Sequence, residues 1–422
     1  MISRFLQRIH LTLGDFWWYS LLMFCAFRTT DALNVLVGVW LVPKYIDPTE
    51  LGAVLPLASF ADFLALPASV FAVTFSKEIN TLATRGEFGQ MKTLMRGVFV
   101  AVAIFLVLAI AVCALTMPFF LSKIRIARGS LGILVIASAF VGCVAPIYVN
   151  TLQALKKFNA ISIMTIVCAP VRLLAMVAAM PFRPLSGYFV GQASTPTVNI
   201  LASLCILRKE LSVRAERYWS KPAVKRFALM FMGIAGFQLS AKILGLTEQT
   251  AIRHNLPDVE SAAYYMVTRF SEITAMFSST LLLVLFPFTA EAAETGRSTK
   301  PLVVKTSIAT LLGGGALALF FTLCGRPILG FLPHGSDYAP YAWAIPWLIG
   351  IHVISAVYSI HTQTEVSAVR FGFLKWWIPL NLALPLTFAV MPIGSLKAML
   401  LYFTFASIAK TGFSLYEICH SK

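Results

Sequence analysis

The chain is poor in charge. Asp, Glu, Lys and Arg make up 12% of its 422 residues, against about 25% in a soluble domain. The longest polar stretch, about 208–226, is far too short to fold alone. A soluble catalytic domain is therefore excluded. The sequence has no G-x-x-x-x-G-K-[ST] loop, so the chain does not use ATP by itself. It has no H-E-x-x-H, no metal-spaced Cys/His cluster and no nucleophile elbow. The expectation is a protein that is not an enzyme, with no cofactor and no metal. There is no TVGYG-like selectivity filter either. The seven cysteines (25, 113, 143, 168, 205, 324, 419) form no C-x-x-C pair and fall mostly in apolar runs. They read as small packing residues. No cleavable signal peptide is expected, because the N-terminus is polar and basic and the first apolar segment is too long.

What is present is apolar. Hydrophobic residues make up 58% of the chain and the mean hydropathy is +0.80. Repeated runs of about 20 residues, each long enough to cross a bilayer as a helix, fill nearly the whole length. The reading is an all-α, polytopic membrane protein with twelve spans: 17–42, 51–76, 94–118, 129–152, 160–181, 186–207, 227–247, 261–289, 302–324, 340–365, 371–392 and 396–418. Span seven is the least apolar.

The formal net charge is +16, and the placement of the bases decides its meaning. With a cytoplasmic N-terminus, 21 of the 34 Lys and Arg fall on the cytoplasmic side and 8 on the other. The basic 208–226 segment dominates the first group, and Lys123–Arg128 is a local exception. This bias predicts both termini in the cytoplasm. The basic surplus then implies anionic membrane lipids as neighbours and no nucleic acid.

A weak repeat runs at about half the chain length. "FSKEINTLATRGEFGQMKTLMRG" (75–97) follows span two, and "FPFTAEAAETGRSTKPLVVKT" (286–306) follows span eight. Each passes from acidic to basic and enters the next span at a lysine, and Pro118 and Pro327 are expected to end those spans. The predicted organisation is an N-terminal six-helix bundle (1–207), a basic cytoplasmic linker (208–226) and a C-terminal six-helix bundle (227–422). Six spans per half give a pseudo-two-fold axis along the membrane normal and a central cavity.

Ionisable residues within the spans are the candidates for function, since each costs about 2.5–3.5 kcal/mol at the centre on insertion scales. They are Arg28 and Asp31 in span one, Asp62 in two, Arg172 in five, Lys242 in seven, Arg269 and Glu272 in eight, and Lys410 in twelve. Arg28/Asp31 and Arg269/Glu272 repeat one basic-x-x-acidic spacing in the two halves, which puts each pair on one helix face. Span seven carries Gln238, Lys242, Gly245 and Gln249 as a polar or small stripe. Span ten carries His352, Ser355, Ser359 and Thr362 in the same way. Such stripes avoid lipid and must line a shared interior. The two basic/acidic pairs have a simpler reading as salt bridges locking helices together. Lys410 and Arg172 have one as snorkelling side chains. Asp62 reads equally as a partner for a base or as a proton-linked group. The interior holds two more bases than acids, which favours an anionic ligand.

Three stretches carry a resemblance. "KYIDPTELGAVLPLASFADFLALP" resembles the periplasmic turn and second helix of Wzx-type polysaccharide flippases. "SAAYYMVTRFSEI…LVLFPFTAE" is similar to their eighth helix, and "RPILGFLPHGSDYAPYAWAIPWL" to the segment joining their ninth and tenth. These proteins belong to the multidrug/oligosaccharidyl-lipid/polysaccharide (MOP) exporter superfamily. The resemblance implies two six-helix bundles with alternating access and a place in the bacterial cytoplasmic membrane. Its implied activity is flipping of an undecaprenyl-pyrophosphate-type oligosaccharide for polysaccharide export, beside glycan polymerase and glycosyltransferases. It also places Arg28 and Arg269 where related flippases keep cavity arginines. The coupling ion, H+ or Na+, is left open. The alternative is a cation-coupled multidrug antiporter of the same superfamily, which needs carboxylates to dominate the interior.

Overall fold

The computed structural model describes residues 22–126, 129–294, 300–367, 371–390 and 393–420. The start of span one, Arg4, Arg8, Arg128, the Arg297 loop, Arg370 and Lys422 lie outside the described residues, as do the side chains of residues 277–300.

Among the described residues every regular element is helical. In chain order the main helices are α1 (Leu22–Tyr45), α2 (Val54–Leu64), α3 (Leu66–Arg85), α4 (Phe88–Lys123), α5 (Gly129–Ala154), α6 (Phe158–Ala179) and α7 (Pro184–Ile206). They continue with α8 (Lys221–Asn255), α9 (Asp258–Glu294), α10 (Lys300–Gly330), α11 (Ala344–Ser367), α12 (Leu374–Ala383) and α13 (Leu396–His420). Among the described residues, eight helices are long and apolar enough to cross a membrane: α1, α4, α5, α6, α7, α10, α11 and α13. The protein is a multi-pass membrane protein. The other predicted spans correspond to α2–α3, α8, α9 and α12.

Several boundaries differ from the sequence reading, each for a local reason. Span two is broken at Ala65, where Pro67 takes the second position of α3 and disfavours helical continuity before it. Span eleven is a ten-residue helix followed by the 3-10 turn Leu384–Leu386, which Pro385 enters. Span seven is longer than expected: Pro222 falls in the first turn of Lys221–Asn255, where a proline is tolerated, and Gly233, Gly236 and Gly245 do not end the helix. Pro118 and Pro327 do not end their helices; α4 and α10 run through them. A membrane helix tolerates the one lost backbone bond where neighbouring groups re-satisfy it. Gly86 (φ 72°) closes α3 in the left-handed region, its N–H reaching the Leu82 and Ala83 carbonyls. Arg125 and Lys156 take the same conformation after α4 and α5.

The chain falls into two compact units. Unit one is 1–37, 64–118 and 128–232; unit two is 38–63, 119–127 and 233–422. α1 passes from one to the other at Val37, where its winding loosens into the π-helical turn Val37–Leu41.

In unit one, Phe75, Ile79, Met91, Leu94, Val98, Val102, Cys143 and Leu152 pack α3, α4 and α5 together. The opposite face of α4 carries Val107, Leu108 and Leu115, exposed by 67%, 62% and 84%. So large an apolar surface suits lipid, not water. Residues 212–220 do not hang free. Glu216 N–H donates to the Gly89 carbonyl, Lys92 to the Val213 carbonyl (2.8 Å), and the Tyr218 hydroxyl to Glu78 (2.9 Å). Lys157 pairs with Glu210 at 2.6 Å. Burial is the largest single influence and opposes ionisation of that carboxyl, but the bond from Lys157, a backbone bond and the charges of Lys157 and Lys209 together outweigh it and hold the Glu210 pKa below its usual value.

In unit two, Phe237, Phe373 and Trp377 form one apolar cluster, with Phe237 edge-on to Phe373 at 5.5 Å. Among its described residues the most buried charge is Arg253, 2% exposed. The guanidinium donates to the Thr49 carbonyl (2.6 Å), the Ile124 carbonyl (3.1 Å) and Asp258 (2.8 Å). Arg125 reaches the same Asp258 and the His254 and Leu256 carbonyls. One side chain thus ties the 46–53 turn and the end of α4 to the α8–α9 corner. Arg253→Met is expected to destabilise the protein by about 2–3 kcal/mol, the scale of charged hydrogen bonds lost with their carbonyls left buried. Thermal unfolding of the purified variant in detergent checks this; an unchanged midpoint would remove Arg253 as a tie.

Candidate functional site

In unit one the charged face belongs to α1. Arg28 and Asp31 pair at 3.2 Å, each 27% exposed, and the Arg28 guanidinium lies 5.7 Å over the Phe24 ring. The spacing of three residues places both on one face, so this ion pair forms within a single helix. One turn on, Asn34 accepts a hydrogen bond from Arg172 of α6 at 2.7 Å. Thr30 bonds the Thr165 carbonyl of α6 at 3.1 Å. Arg172 is thus brought to the α1 face by a neutral amide. Asn34 was absent from the sequence-derived set because it carries no charge; its place six residues after Arg28 was the available signal.

In unit two the same basic-x-x-acidic unit recurs. Arg269 and Glu272 of α9 pair at 2.9 Å, 18% and 34% exposed. The Arg269 guanidinium also stacks on Tyr265 at 4.9 Å, and the Tyr265 hydroxyl donates to the Gly38 carbonyl at 3.2 Å. A side chain at Gly38 would crowd Arg269, since a Cβ there would sit 2.8 Å from the arginine Cδ. Glycine leaves room for the arginine at the π-helical turn.

Lys242 of α8 pairs with Asp62 of α2 at 3.2 Å, and Asp62 is 69% exposed. An ion pair this open contributes little to stability. Gln238, half-buried, lies one turn before Lys242 on the same stripe. His352 of α11 contacts the Ser271 carbonyl at 3.3 Å, which fits a satisfied polar residue. Lys410 of α13 is 8% exposed, and its ammonium lies 5.6 Å and 5.5 Å from the Tyr358 and Trp377 ring centres. That is a cation–π arrangement on two faces.

Lys410 also has an acidic counterpart that the sequence reading missed. Glu248 of α8 is the carboxylate that acts on its charge. Glu248 fell one residue beyond the predicted end of span seven, and α8 carries it one turn past Leu244. The surplus of bases inside the protein therefore falls from two to one. In unit two, Ser407 lies one turn before Lys410 on α13 and its hydroxyl pairs with that of Ser355 at 2.9 Å, so a cation and hydroxyls occur together there. Among the described residues no cluster suits a metal ion.

No family model matches the chain, and no curated protein does. Solved structures do. The lipid II flippase MurJ in an inward closed conformation superposes with a TM-score of 0.71 at 12% identity, covering 94% of this chain and 87% of that one. A multidrug resistance MATE family transporter of the MOP superfamily, inward-facing, gives 0.65 at 14% identity over 92% and 94%. A MOP superfamily transporter from Pyrococcus furiosus, described as having reverse polarity in its binding pocket, gives 0.59 at 13% identity over 97% and 98%. The chain has the fold of these transporters.

Proposed function

We propose that this chain is a flippase of the Wzx-type, moving a lipid-linked, pyrophosphate-bearing oligosaccharide across the bacterial cytoplasmic membrane. The observation that carries the reading is the intrahelical pairing of Arg28 with Asp31 and of Arg269 with Glu272. An ion pair formed between residues of one helix is not by itself a tie between helices. A carboxylate held three residues away does lower the penalty of an arginine waiting for an anion. Arg28 and Arg172 of unit one, and Lys242, Arg269 and Lys410 of unit two, are each proposed as cationic contacts for the anionic substrate, with Asp31 in unit one and Asp62 and Glu272 in unit two as holding carboxylates. Gln238 and His352 join the sugar-facing polar set. The lipid tail stays in the bilayer, while glycan polymerase and glycosyltransferases are the proposed partners. The twelve-span, six-plus-six organisation belongs to the same proposal.

The test is ligand choice by the purified protein. It should bind an undecaprenyl-pyrophosphate glycan, with affinity falling as salt rises, because counter-ions screen the attraction. A second reading, the cation-coupled multidrug antiporter, draws on Glu248 and the open Asp62 carboxylate. It predicts proton- or sodium-coupled efflux of an organic cation that is lost in Asp62→Asn.

The proposed orientation has both termini and the 208–226 segment in the cytoplasm. Ser212 is exposed, so Ser212→Cys in a cysteine-free background reports on it. The cysteine should react with an impermeant maleimide only after the cells are permeabilised. Labelling of intact cells would reverse the topology.

A further inference from the structure

Unit one holds a cavity of about 430 Å³ that none of the residues proposed for transport lines. Its walls come from α4, α5, α7 and the turn after α7, and its polarity is divided. Lys92 and Arg96 stand one turn apart on α4. Phe99 and Val100 line it from the next turn of α4, and Tyr148 of α5 and Leu204 of α7 complete the apolar lining. Among the described lining residues there is no carboxylate. Glu216 packs at Gly89, one turn before Lys92, and does not line the cavity. Glu210 is already paired with Lys157.

The two cations differ in freedom. Lys92 gives one N–H to the Val213 carbonyl, which fixes its ammonium at the rim and leaves further donors on the same nitrogen. Arg96 is exposed. Beyond the cations the surface is apolar and open: Phe99 and Val100 are 38% and 53% exposed, and Ile104 and Leu108 extend the same face at 58% and 62%. A ligand that fits has a negative head and an apolar tail lying along α4. The volume takes a headgroup and its glycerol, with the tail left outside on the helix.

We infer that this cavity is a binding site for an anionic glycerophospholipid, separate from the site proposed for the transported substrate. Basic pockets between membrane helices hold anionic headgroups in this way, the fixed cations binding the phosphate while the chains stay in the hydrocarbon. A free phosphate would gain nothing from the apolar lining of the cavity. Under the orientation proposed above, the lipid comes from the inner leaflet; binding itself does not depend on that orientation.

The test uses the purified full chain in a neutral detergent, with phosphatidylglycerol, phosphatidylcholine or inorganic phosphate added and adducts counted by native mass spectrometry. Phosphatidylglycerol should be retained about tenfold more than phosphatidylcholine. Arg96→Gln should bring the two lipids to parity, and Arg96→Lys should restore most of the difference. Arg96 is exposed, so neither change should alter the fold, and circular dichroism verifies this. Lys92→Gln is a weaker variant because it also releases Val213. Equal retention of the two lipids by the unaltered protein, or full retention of phosphatidylglycerol by Arg96→Gln, overturns the inference. So does inorganic phosphate displacing the lipid at equal concentration, which would make the site one for free anions.

Discussion

Arg28→Ala is expected to abolish transport while the protein still inserts and folds. Arg28 is more than a quarter exposed, and so is Asp31. The stability lost with their pair is therefore about 1 kcal/mol or less, not the several kcal/mol of a fully buried pair broken on one side. Function should respond differently. If the guanidinium binds the pyrophosphate, alanine removes a charged ligand from a medium where such attractions are several-fold stronger than in water. The double variant Arg28→Ala/Asp31→Asn separates the two effects. It restores charge balance on α1, so expression and thermal midpoint should match the parent, while transport stays absent. Normal transport by the double variant would make the pair a structural feature only.

Arg269→Ala carries the second large effect. Arg269 is less exposed than Arg28 and is fixed on two sides, by Glu272 and by the Tyr265 ring. A preorganised guanidinium loses little freedom on binding and matches the geometry of a phosphate. Affinity for a lipid pyrophosphate is expected to drop by about tenfold or more, near the 1.5–3 kcal/mol of a charged hydrogen bond. The loss should shrink at high salt, where the parent also binds less well. Arg269→Lys should recover only part of the affinity, since an ammonium is a point charge without the fork. Titration with the labelled lipid by fluorescence at two salt concentrations measures both. An affinity indifferent to Arg269→Ala would remove α9 from the site.

The sequence made the membrane character and most interior charges legible, because a lysine or arginine inside an apolar run stands out whatever the fold. Pairing partners were legible only where they lie on the same helix. The Arg28–Asp31 and Arg269–Glu272 pairs follow from a spacing of three residues. The Asp62–Lys242 contact joins residues 180 apart in sequence and needed the fold. So did the link from Arg172 to Asn34. Glu248 was lost for a different reason. Hydropathy ends a span where polar residues begin, yet α8 continues, because backbone bonds and not apolarity sustain a helix once started. The prolines misled in both directions. Pro67 and Pro385 sit at breaks, while Pro118 and Pro327 are accommodated inside helices. Local sequence does not tell which neighbours re-satisfy the freed carbonyl. The Arg253 tie was also invisible, since its partners are mainly backbone carbonyls from distant segments.

The central claim is that the transported molecule is an anionic, lipid-linked glycan. The most direct measurement is translocation in proteoliposomes carrying a fluorescent undecaprenyl-pyrophosphate oligosaccharide, with a membrane-impermeant quencher reporting which leaflet holds the label. The account predicts protein-dependent movement of the label between leaflets, absent in Arg28→Ala/Asp31→Asn and strongly reduced in Arg269→Ala. No movement above protein-free vesicles, together with coupled efflux of a lipophilic cation from the same preparation, would contradict it.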